Sequence, residues 1–275
     1  MKVLVVGSNG MAGHVISKYL TEMGHAVSTT SRSYDSNYFL DVENTQVTSK
    51  FFNEISTSFD FIVNCVGLLV KDSIDRPDRA AIINGWLPHA IEQSVKNSKT
   101  RLIHLSTDCV FDGNRGLYNE KDIHTETNAY GKSKSYGEVN NDKDVTFRMS
   151  IIGPELKASG TGLMHWAING PEKEINGWTN AKWNGITTLE LAKCIEKYIQ
   201  DPKITGVYHL VNNDNEISKY DLLVKILKIF NVDKIVKISE GPKNINKVLI
   251  DTRKLVNFDI PDYDQMLSEL RDWYV

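Results

Sequence analysis

Cysteine is scarce in this sequence of 275 residues. The only three, Cys65, Cys109 and Cys194, are widely separated. Their spacing fits neither a disulfide framework nor a zinc site. The seven histidines are also scattered, with no H-E-x-x-H or comparable cluster, so we expect no protein-bound catalytic metal. So few thiols are typical of a reducing compartment, and we expect the protein in the cytoplasm.

Long hydrophobic runs are missing too. The first apolar run, Val3 to Val6, breaks into glycine at once, so it indicates a strand and not a signal peptide. No run approaches the length needed to cross a bilayer, and we expect no membrane partner. The formal net charge of -3 argues against a nucleic-acid partner bound by bulk electrostatics. With 41% hydrophobic residues, the chain can bury a sizeable core.

Strands and helices alternate along the first 150 residues. A short apolar strand at residues 2–6 precedes a helical pattern from Ala12 to Met23, and Gly24 follows where a helix C-cap belongs. Asn44 is suited to cap a second helix. The alternation predicts right-handed crossovers and therefore an α/β fold with a doubly wound parallel sheet of the Rossmann type. The further predicted strands are residues 26–30, 59–65, 101–105 and 145–149, with helices around residues 80–96 and after Tyr130.

The pattern loosens after residue 150. Residues 151–183 contain seven glycines or prolines and three tryptophans, with little periodicity. A helix at residues 187–200 and a strand at 207–211 then return to the first pattern, and helices near 218–230 and 263–273 follow. We expect a Rossmann domain of residues 1–150 plus 187–212, and a smaller substrate-binding lobe of residues 151–186 plus 213–275.

Three glycines follow the first strand at the spacing Gly7-x-x-Gly10-x-x-Gly13, with Asn9 and Met11 between them. The turn follows a strand and opens a helix, which is the context of the dinucleotide-binding fingerprint, although the usual spacing is G-x-G-x-x-G. Glycines let the backbone N–H groups approach a pyrophosphate, which then lies at the positive end of the helix. The pattern predicts a nicotinamide dinucleotide site.

The end of the second strand bears on the choice of cofactor. An NAD-preferring site places an acidic residue there to bind the ribose 2′-hydroxyl. This chain has Ser31 and Arg32 instead. A hydroxyl and a guanidinium suit a 2′-phosphate, so we expect NADPH to be preferred over NADH, the alternative being that Arg32 is only a solvated loop residue.

Tyr130 and Lys134 are one helical turn apart and share a helix face. An ammonium close to a phenol lowers the tyrosine pKa, which would make Tyr130 a usable proton donor. Thr107 ends a strand at the carboxyl edge of the sheet, where ligands bind in such folds. Its hydroxyl, or that of the neighbouring Ser106, could hydrogen-bond a carbonyl being reduced.

The segments LSTDCVFDG (residues 105–113) and NAYGKSK (residues 128–134) resemble the extended short-chain dehydrogenases/reductases. Within them the chain is most similar to the dTDP-4-dehydrorhamnose reductase family, whose pattern is S-T-D-Y-V-F-D-G and then Y-G-x-x-K. The resemblance covers nearly the whole chain and includes VNCVG at residues 63–67, Asn84, Phe147-Arg148 and NKVLIDT at residues 246–252.

The resemblance implies a catalytic trio of Thr107, Tyr130 and Lys134, of which Tyr130 and Lys134 would also bind the cofactor. Asp41 and Val42 would flank the adenine. The implied substrate class is a nucleoside-diphosphate 4-keto-6-deoxy sugar. The residues that would line the path of the cofactor are Cys65, Val66 and Gly67.

Three departures from the family pattern leave the sugar and the nucleotide open. Cys109 stands where the family has tyrosine, the segment RMSII at residues 148–152 lacks the family's tryptophan, and Pro242-Lys243 replaces an arginine–proline pair. Amino sugars such as 2-acetamido-2,6-dideoxy hexuloses are therefore candidates. The expected substrate contacts are Asp108, Cys109, Trp178 and Lys243.

Two features of the second lobe have both a functional and a structural interpretation. Trp166, Trp178 and Trp183 could stack on a base or a sugar, but tryptophans more often pack in a core. Residues 219–247 hold seven lysines against three acidic residues. That excess could attract a diphosphate, or the lysines could simply be the solvated faces of helices.

The leading hypothesis is an NADPH-dependent reductase that reduces the 4-keto group of a nucleotide sugar for surface polysaccharide synthesis. An epimerase or dehydratase of the same superfamily is the second, although Asp108-Cys109 lacks the Asp-Glu pair that dehydratases show. The third is a non-catalytic NADP(H)-sensing regulator, which the presence of Tyr130 and Lys134 disfavours. The oligomeric state stays open, with a homodimer as the candidate.

Overall fold

A parallel seven-stranded sheet forms the centre of the molecule, which a computed structural model describes over residues 1–274. The strands are β1 (Lys2–Val6), β2 (Ala26–Ser31), β3 (Tyr38–Phe39), β4 (Phe61–Asn64), β5 (Arg101–Thr107), β6 (Val145–Met149), β7 (Ile151–Ile152), β8 (Glu174–Trp178), β9 (Ala181–Trp183), β10 (Ile186–Thr187), β11 (Gly206–His209), β12 (Ile217–Ser218), β13 (Ile235–Ser239) and β14 (Ile245–Asn246). The helices are α1 (Met11–Glu22), α2 (Thr45–Ile55), α3 (Val70–Asp75), α4 (Pro77–Ala80), α5 (Leu87–Val95), α6 (Ala129–Tyr136), α7 (Leu163–Asn169), α8 (Thr188–Gln200), α9 (Lys219–Ile229) and α10 (Tyr263–Tyr274).

The strand order in the main sheet is β3-β2-β1-β4-β5-β6-β11, with every pair parallel. This confirms the predicted doubly wound parallel sheet. In the register, Val3 pairs with Val27 on one side and with Phe61 on the other. The order therefore reverses beside β1, and in such sheets ligands bind at the carboxyl ends of the strands next to this point.

Alternation along each strand builds two core layers. On β1, Val3 and Val5 contribute to the layer that α1 and α8 cover, while Leu4 and Val6 contribute to the layer under α2 and α5. Each fully buried side chain of this kind stabilises the fold by about 1.5–3 kcal/mol. These two layers fix the carboxyl ends of β1, β4 and β5 at one edge.

The rest of the chain forms three small sheets, with the pairings β7–β10, β12–β9–β14 and β8–β13. Their apolar residues join the α1 and α8 layer, so one hydrophobic core runs from the main sheet to α9 and α10. The division of the chain at residues 150, 187 and 212 stays a prediction. No helix within residues 1–274 combines the length and the apolar character that a membrane span requires.

The structure corrects the predicted helix at residues 80–96. It is α4, then a π-helical turn (Ala81–Trp86), then α5. A π turn adds one residue without ending the helix, so the apolar periodicity runs through it. Residues 151–183, which showed little periodicity, contain α7 and three strands of two to five residues, β7, β8 and β9. Such short strands give no alternation signal.

Candidate active site

The glycine turn after β1 leaves no room for side chains. Gly7 has a φ of +83°, and a Cβ there would lie 2.7 Å from Cγ2 of Val66. A Cβ on Gly13 would lie 2.2 Å from the Gly7 carbonyl oxygen. Gly10 is the N-cap of α1 and has no side-chain cap hydrogen bond. The first backbone N–H groups of α1 therefore stay available for an anion, as the sequence pattern predicts.

A cleft of about 400 Å³ opens at this turn. It runs from the glycine turn past the end of β2 to the loop that follows β4. The predicted cofactor residues that line it are Gly7, Asn9, Gly10, Ser31, Arg32, Asp41, Val42, Cys65, Val66 and Gly67. The predicted residues that do not line it are Met11, Gly13, Tyr130 and Lys134, and the lining residues absent from the prediction are Thr30, Ser33, Leu40, Glu43, Leu68, Arg79, Ile83 and Lys157.

At one end of the cleft, two arginines meet one carboxylate. Arg79 donates two hydrogen bonds to Glu43, from Nε at 2.7 Å and from Nη2 at 2.5 Å. These bonds hold the pKa of Glu43 below its ordinary value. Arg32 is 61% exposed, and its Nη1 lies 3.9 Å from Glu43. The Ser31 hydroxyl is already engaged, because it donates to the Ser33 carbonyl and accepts from the Ser33 N–H. Arg32 therefore has more capacity than Ser31 to bind a ligand.

The catalytic candidates meet at the carboxyl end of β5. Thr107 is the last residue of β5, and its hydroxyl accepts from the Cys109 N–H and donates to Asp108, both at 3.1 Å. Asn128 caps α6 by accepting from the N–H of Gly131, so α6 begins one residue before Tyr130. The Thr107 hydroxyl also lies close enough to the Tyr130 phenol to favour the phenolate and so to act against the rise of the Tyr130 pKa. The structure thus places Thr107 and Tyr130 near each other.

The electrostatics of this pair differ from the expectation. Burial, with Cys109 and Asp108 close by, raises the pKa of Tyr130, whereas the sequence predicted that Lys134 would lower it. Burial is the largest cause, and Lys134 is not among the groups that lower the pKa of Tyr130. The Lys134 Nζ donates to the Leu105 carbonyl at 2.6 Å.

Lys134 is itself buried, and burial lowers its pKa to about 8. Its ammonium also stabilises the thiolate form of Cys65, whose pKa burial nevertheless raises to about 12. Cys65 lines the cleft. Lys134 therefore lies between the carboxyl end of β5 and the cleft.

Ser106, the competitor of Thr107, belongs to a buried ionic network. Its hydroxyl donates to Glu138 at 2.6 Å. Arg148 donates to both oxygens of Glu138, at 2.8 and 2.6 Å, and holds its pKa low. Arg148 also donates to Nε2 of His209, which in turn donates from Nδ1 to a backbone carbonyl. This network was not predicted, because its members lie far apart in the sequence.

Asn84 ties the cleft to the catalytic helix. Its side chain accepts from the Leu68 N–H at 2.8 Å and donates to the Leu68 carbonyl and to the Ser133 hydroxyl, both at 3.1 Å. Asn84 lies on the π-helical turn, which is a common place for functional residues. The resemblance singled out Asn84, but nothing in the sequence gave it this role.

The expected substrate contacts are spread over a wider area. Asp108 is buried beside Thr107, and burial raises the pKa of Cys109 to about 12. Trp178 is half-buried at the end of β8, with the Lys219 ammonium 5.2 Å from the ring centroid. Lys243 is exposed, and the described residues show only a backbone contact for it. No group of three or more potential ligand side chains within residues 1–274 could hold a metal ion.

The model of the RmlD substrate binding domain family matches residues 1–248. The chain belongs to that family. This confirms the resemblance to the extended short-chain dehydrogenases/reductases and to the dTDP-4-dehydrorhamnose reductases within them. At the level of the family, the chain is an oxidoreductase.

Among individual relatives, the chain is 31% identical to the probable low-salt glycan biosynthesis reductase Agl14 of Haloferax volcanii, over 85% of this chain and 81% of the relative. It is 28% identical to methionine adenosyltransferase 2 subunit beta of Pongo abelii, over 84% and 72% of the two chains.

Solved structures agree on the fold. A dTDP-4-dehydrorhamnose reductase from Clostridium acetobutylicum superposes with a TM-score of 0.83 at 24% identity, over 100% of this chain and 99% of the other. That of Bacillus anthracis, solved in complex with NADP, gives a TM-score of 0.82 at 20% identity, over 99% of both chains.

Proposed function

We propose that this protein uses NADPH to reduce the 4-keto group of a nucleoside-diphosphate 6-deoxy sugar. The observation that carries the proposal is the meeting of Thr107, Tyr130 and Lys134 at the carboxyl end of β5, beside the cleft. The glycine turn fits the cofactor, because its Cβ-free surface and the open N-terminus of α1 suit a pyrophosphate. Bound there, NADPH supplies the hydride.

The three side chains divide the remaining chemistry. Negative charge develops on the carbonyl oxygen during reduction, and a positioned acid and a hydrogen bond must meet it. Tyr130 is protonated at neutral pH, because burial raises its pKa, and it donates the proton. Thr107 orients the carbonyl. We assign this role to Thr107 and not to Ser106, because Thr107 lies beside the Tyr130 phenol, whereas Ser106 belongs to the Glu138–Arg148 network. Lys134, at the junction with the cleft, binds the nicotinamide ribose.

The preference for NADPH is proposed from the charges around Glu43. Arg32, Arg79 and Lys157 line the cleft with Asp41 and Glu43, so cations outnumber carboxylates. Because Arg79 already holds Glu43 in a two-bond ion pair, the exposed Arg32 guanidinium is free to bind a 2′-phosphate. The NADP complex of the Bacillus anthracis structure supports binding of this cofactor by the same fold.

The test of the reaction is turnover by a variant that keeps the site intact. NADPH absorbance is followed with a panel of dTDP- and UDP-linked 4-keto sugars, including 2-acetamido-2,6-dideoxy forms. Tyr130→Phe removes only the acidic hydroxyl, so NADPH should still bind while turnover falls about 10²–10⁴-fold. A variant that keeps near-normal turnover on a good substrate would rule out Tyr130 as the acid.

A second candidate is a non-catalytic protein that binds NADP(H) and regulates a partner. It is favoured by the relative named as a subunit of methionine adenosyltransferase 2. Absence of turnover on the whole panel, with intact NADPH binding, would support it. The epimerase or dehydratase alternative keeps less support, because Cys109 with its raised pKa stands where dehydratases carry the Glu of their Asp-Glu pair.

The setting of the reaction is also proposed. The relative from Haloferax volcanii is named as a glycan biosynthesis reductase, which supports a role in making a surface polysaccharide. We propose a cytoplasmic protein that acts on a nucleotide sugar, binds no nucleic acid and forms a homodimer. Light scattering of the purified protein checks the last point.

A further inference from the structure

Glu138 is a buried carboxylate that the reaction proposed above does not use. It lies four residues beyond Lys134, and its side chain is 6% exposed. Its Oε1 accepts from the Ser106 hydroxyl at 2.6 Å, and Arg148 donates to both of its oxygens. Burial acts to raise the pKa of Glu138, but the bonds from Arg148 and Ser106 outweigh burial and lower it. Glu138 is therefore charged at neutral pH, although it is almost closed off from water.

Two side chains from α6 and the residues directly after it hold the end of β5. The Lys134 ammonium donates to the Leu105 carbonyl, and Glu138 accepts from the hydroxyl of the next residue, Ser106, both at 2.6 Å. Thr107, the last residue of β5, directly follows these two contacts. A movement of β5 against α6 would therefore displace Thr107 relative to the proposed acid.

The backbone around Glu138 is fixed on both sides. A Cβ on Gly137 would lie 1.9 Å from the Asn84 carbonyl oxygen, so Gly137 packs directly against the π-helical turn. The N–H of Val139 donates to the Thr146 hydroxyl at 3.1 Å, and its carbonyl accepts from the same hydroxyl at 2.8 Å. Because Thr146 lies on β6, the segment that carries Glu138 is attached to both the π-helical turn and the main sheet. The carboxylate is thus a fixed point to which the end of β5 is bonded.

Packing alone does not account for an ionic group at this position. A buried ion pair can often be replaced by apolar residues of similar volume without loss of stability. Glu138 also acts on the site through its charge. Burial lowers the pKa of Lys134 to about 8, and the charge of Glu138 acts against this decrease. Cys65 after β4 and His104 on β5 also face Lys134, but burial raises the pKa of Cys65 to about 12 and lowers that of His104, so both are neutral.

We propose that Glu138 is a positioning residue, which fixes the end of β5 against α6 and places a negative charge near the Lys134 ammonium. The proposal rests on the proposed function, which gives Thr107 and Lys134 their roles. The bond to Ser106 keeps Thr107 in place to orient the carbonyl. The charge favours the ammonium form of Lys134, which binds the nicotinamide ribose. The bond and the charge are different properties of Glu138, and variants can separate them.

The variants remove the bond or the charge. Glu138→Gln removes the charge but keeps an oxygen that can accept from Ser106, whereas Ser106→Ala removes the bond and keeps the charge. Glu138→Gln leaves the buried Arg148 without its carboxylate, which is strongly destabilising. The double variant Glu138→Gln/Arg148→Met removes both charges and replaces the single variant if that one fails to fold. Glu190→Gln is the matched control, because Glu190 is a buried carboxylate, 4% exposed, that pairs with Lys193 on α8.

The test measures kcat and KM against pH with a sugar of the panel, and NADPH affinity against pH by fluorescence titration. Without the charge, the alkaline limb of both profiles should move to lower pH by about half a pH unit or more, because loss of an opposite charge disfavours the ammonium. Ser106→Ala should keep the wild-type limb and the wild-type KM but lower kcat by about tenfold, since a small displacement of a positioned group is costly. Glu190→Gln should show neither effect.

An unmoved limb in the folded variants that lack the Glu138 charge overturns the proposal, and so does a wild-type kcat in Ser106→Ala. An equal shift in Glu190→Gln also overturns it, because the effect would then be common to buried carboxylates. The NADPH titration needs no sugar, so it tests the role of the charge even if the wild-type protein turns over none of the panel. That absence of turnover would contradict the proposed function by itself.

Discussion

Glu43 accepts from Arg79 at both of its oxygens, and the exposed Arg32 approaches one of the same two oxygens. This arrangement predicts opposite effects on NADPH binding for substitutions of Arg32 and of Glu43. Arg32→Ala should weaken NADPH by about tenfold or more, since a hydrogen bond to a charged group is worth roughly 1.5–3 kcal/mol. Glu43→Gln should strengthen NADPH, because it removes the carboxylate that competes for the guanidinium of Arg32. Binding of NADH should change little in either variant. Fluorescence titration with both cofactors gives the affinities.

Arg79 supplies the control for this prediction. Arg79→Met removes both hydrogen bonds to Glu43 and leaves that carboxylate to pair with Arg32 alone. NADPH should therefore bind more weakly, although Arg79 need not touch the phosphate. Equal affinities of NADPH and NADH for the wild-type protein would contradict the whole assignment.

Lys134 should set the alkaline limit of turnover. Burial lowers its pKa to about 8, so its ammonium is charged below that pH and increasingly neutral above it. We expect kcat/KM and NADPH affinity to fall as pH rises through about 8. Because the pKa of Tyr130 is raised, ionisation of the phenol does not account for a fall in this range. A pH–rate profile checks this.

A charge-preserving variant decides whether Lys134 is responsible. Lys134→Arg stays protonated across the range, so its alkaline limb should move to higher pH even if its turnover is lower. An unchanged limb would assign the titration to another group. The same pKa has a consequence for folding. Because the folded-state pKa lies below the ordinary 10.5, the buried ammonium costs stability in full below about pH 8, and that cost declines as pH rises towards 10.5.

Individual residues were predictable where a local rule applied. Asn44 and Gly24 hold the cap positions that their types favour, and Thr107 ends its strand as expected. Arg79 gave no signal, because it reaches the cleft through a segment distant in sequence from the glycine motif. A local rule concerns a residue's own backbone and does not predict which distant segments the residue will contact.

Among the secondary-structure elements, the π-helical turn (Ala81–Trp86) links the cleft to α6 through the side chain of Asn84. Asn84→Ala would leave the Leu68 N–H without its partner, would remove one of the two bonds to the Leu68 carbonyl and would release Ser133 on α6. We expect a loss of about 1–3 kcal/mol in the free energy of unfolding, with weaker NADPH binding. Urea denaturation and cofactor titration measure the two effects.

Asn84→Asp keeps the size and shape of the side chain and removes the hydrogen bonds that it can donate. It keeps the acceptor for the Leu68 N–H but loses both donated bonds, so it should lie between wild type and Asn84→Ala in NADPH affinity. If Asn84→Ala has the same free energy of unfolding as the wild type, the hydrogen bonds of Asn84 do not stabilise the fold. Helical periodicity could not reveal this turn, because the sequence signal measures apolar spacing and not the hydrogen-bond pattern of the backbone.

For the molecule as a whole, the shared core predicts a single unfolding transition. The layer under α1 and α8 continues to α9 and α10, so neither part can lose its packing alone. Four of the five tryptophans lie at or after Trp166, and their fluorescence reports the second part of the chain. With Trp86→Phe, fluorescence and far-UV circular dichroism should give coincident urea curves. Two separated midpoints would show two independent units.

The main sheet was predictable as a whole, and the small sheets after residue 150 were not. Strands β1, β4, β5 and β6 have four to seven residues, almost all of them buried, which is long enough for a pattern. Most strands of the small sheets have only two or three residues, and their partners come from distant segments, as in β9 with β12 and β14. Tertiary packing, and not local preference, decides such pairings.

The strand order also determines which surfaces stay uncovered while the chain is synthesised from its amino end. Strands β1 to β6 are complete at Met149, but α8, which covers their apolar face together with α1, ends only at Gln200. Strand β11, which closes the open edge of β6, begins at Gly206. While the residues between β6 and these two elements are being synthesised, the nascent protein exposes an apolar face of the main sheet and the unpaired edge of β6. Chaperones that shield such surfaces should therefore associate with this chain while the residues between Met149 and Gly206 are being translated.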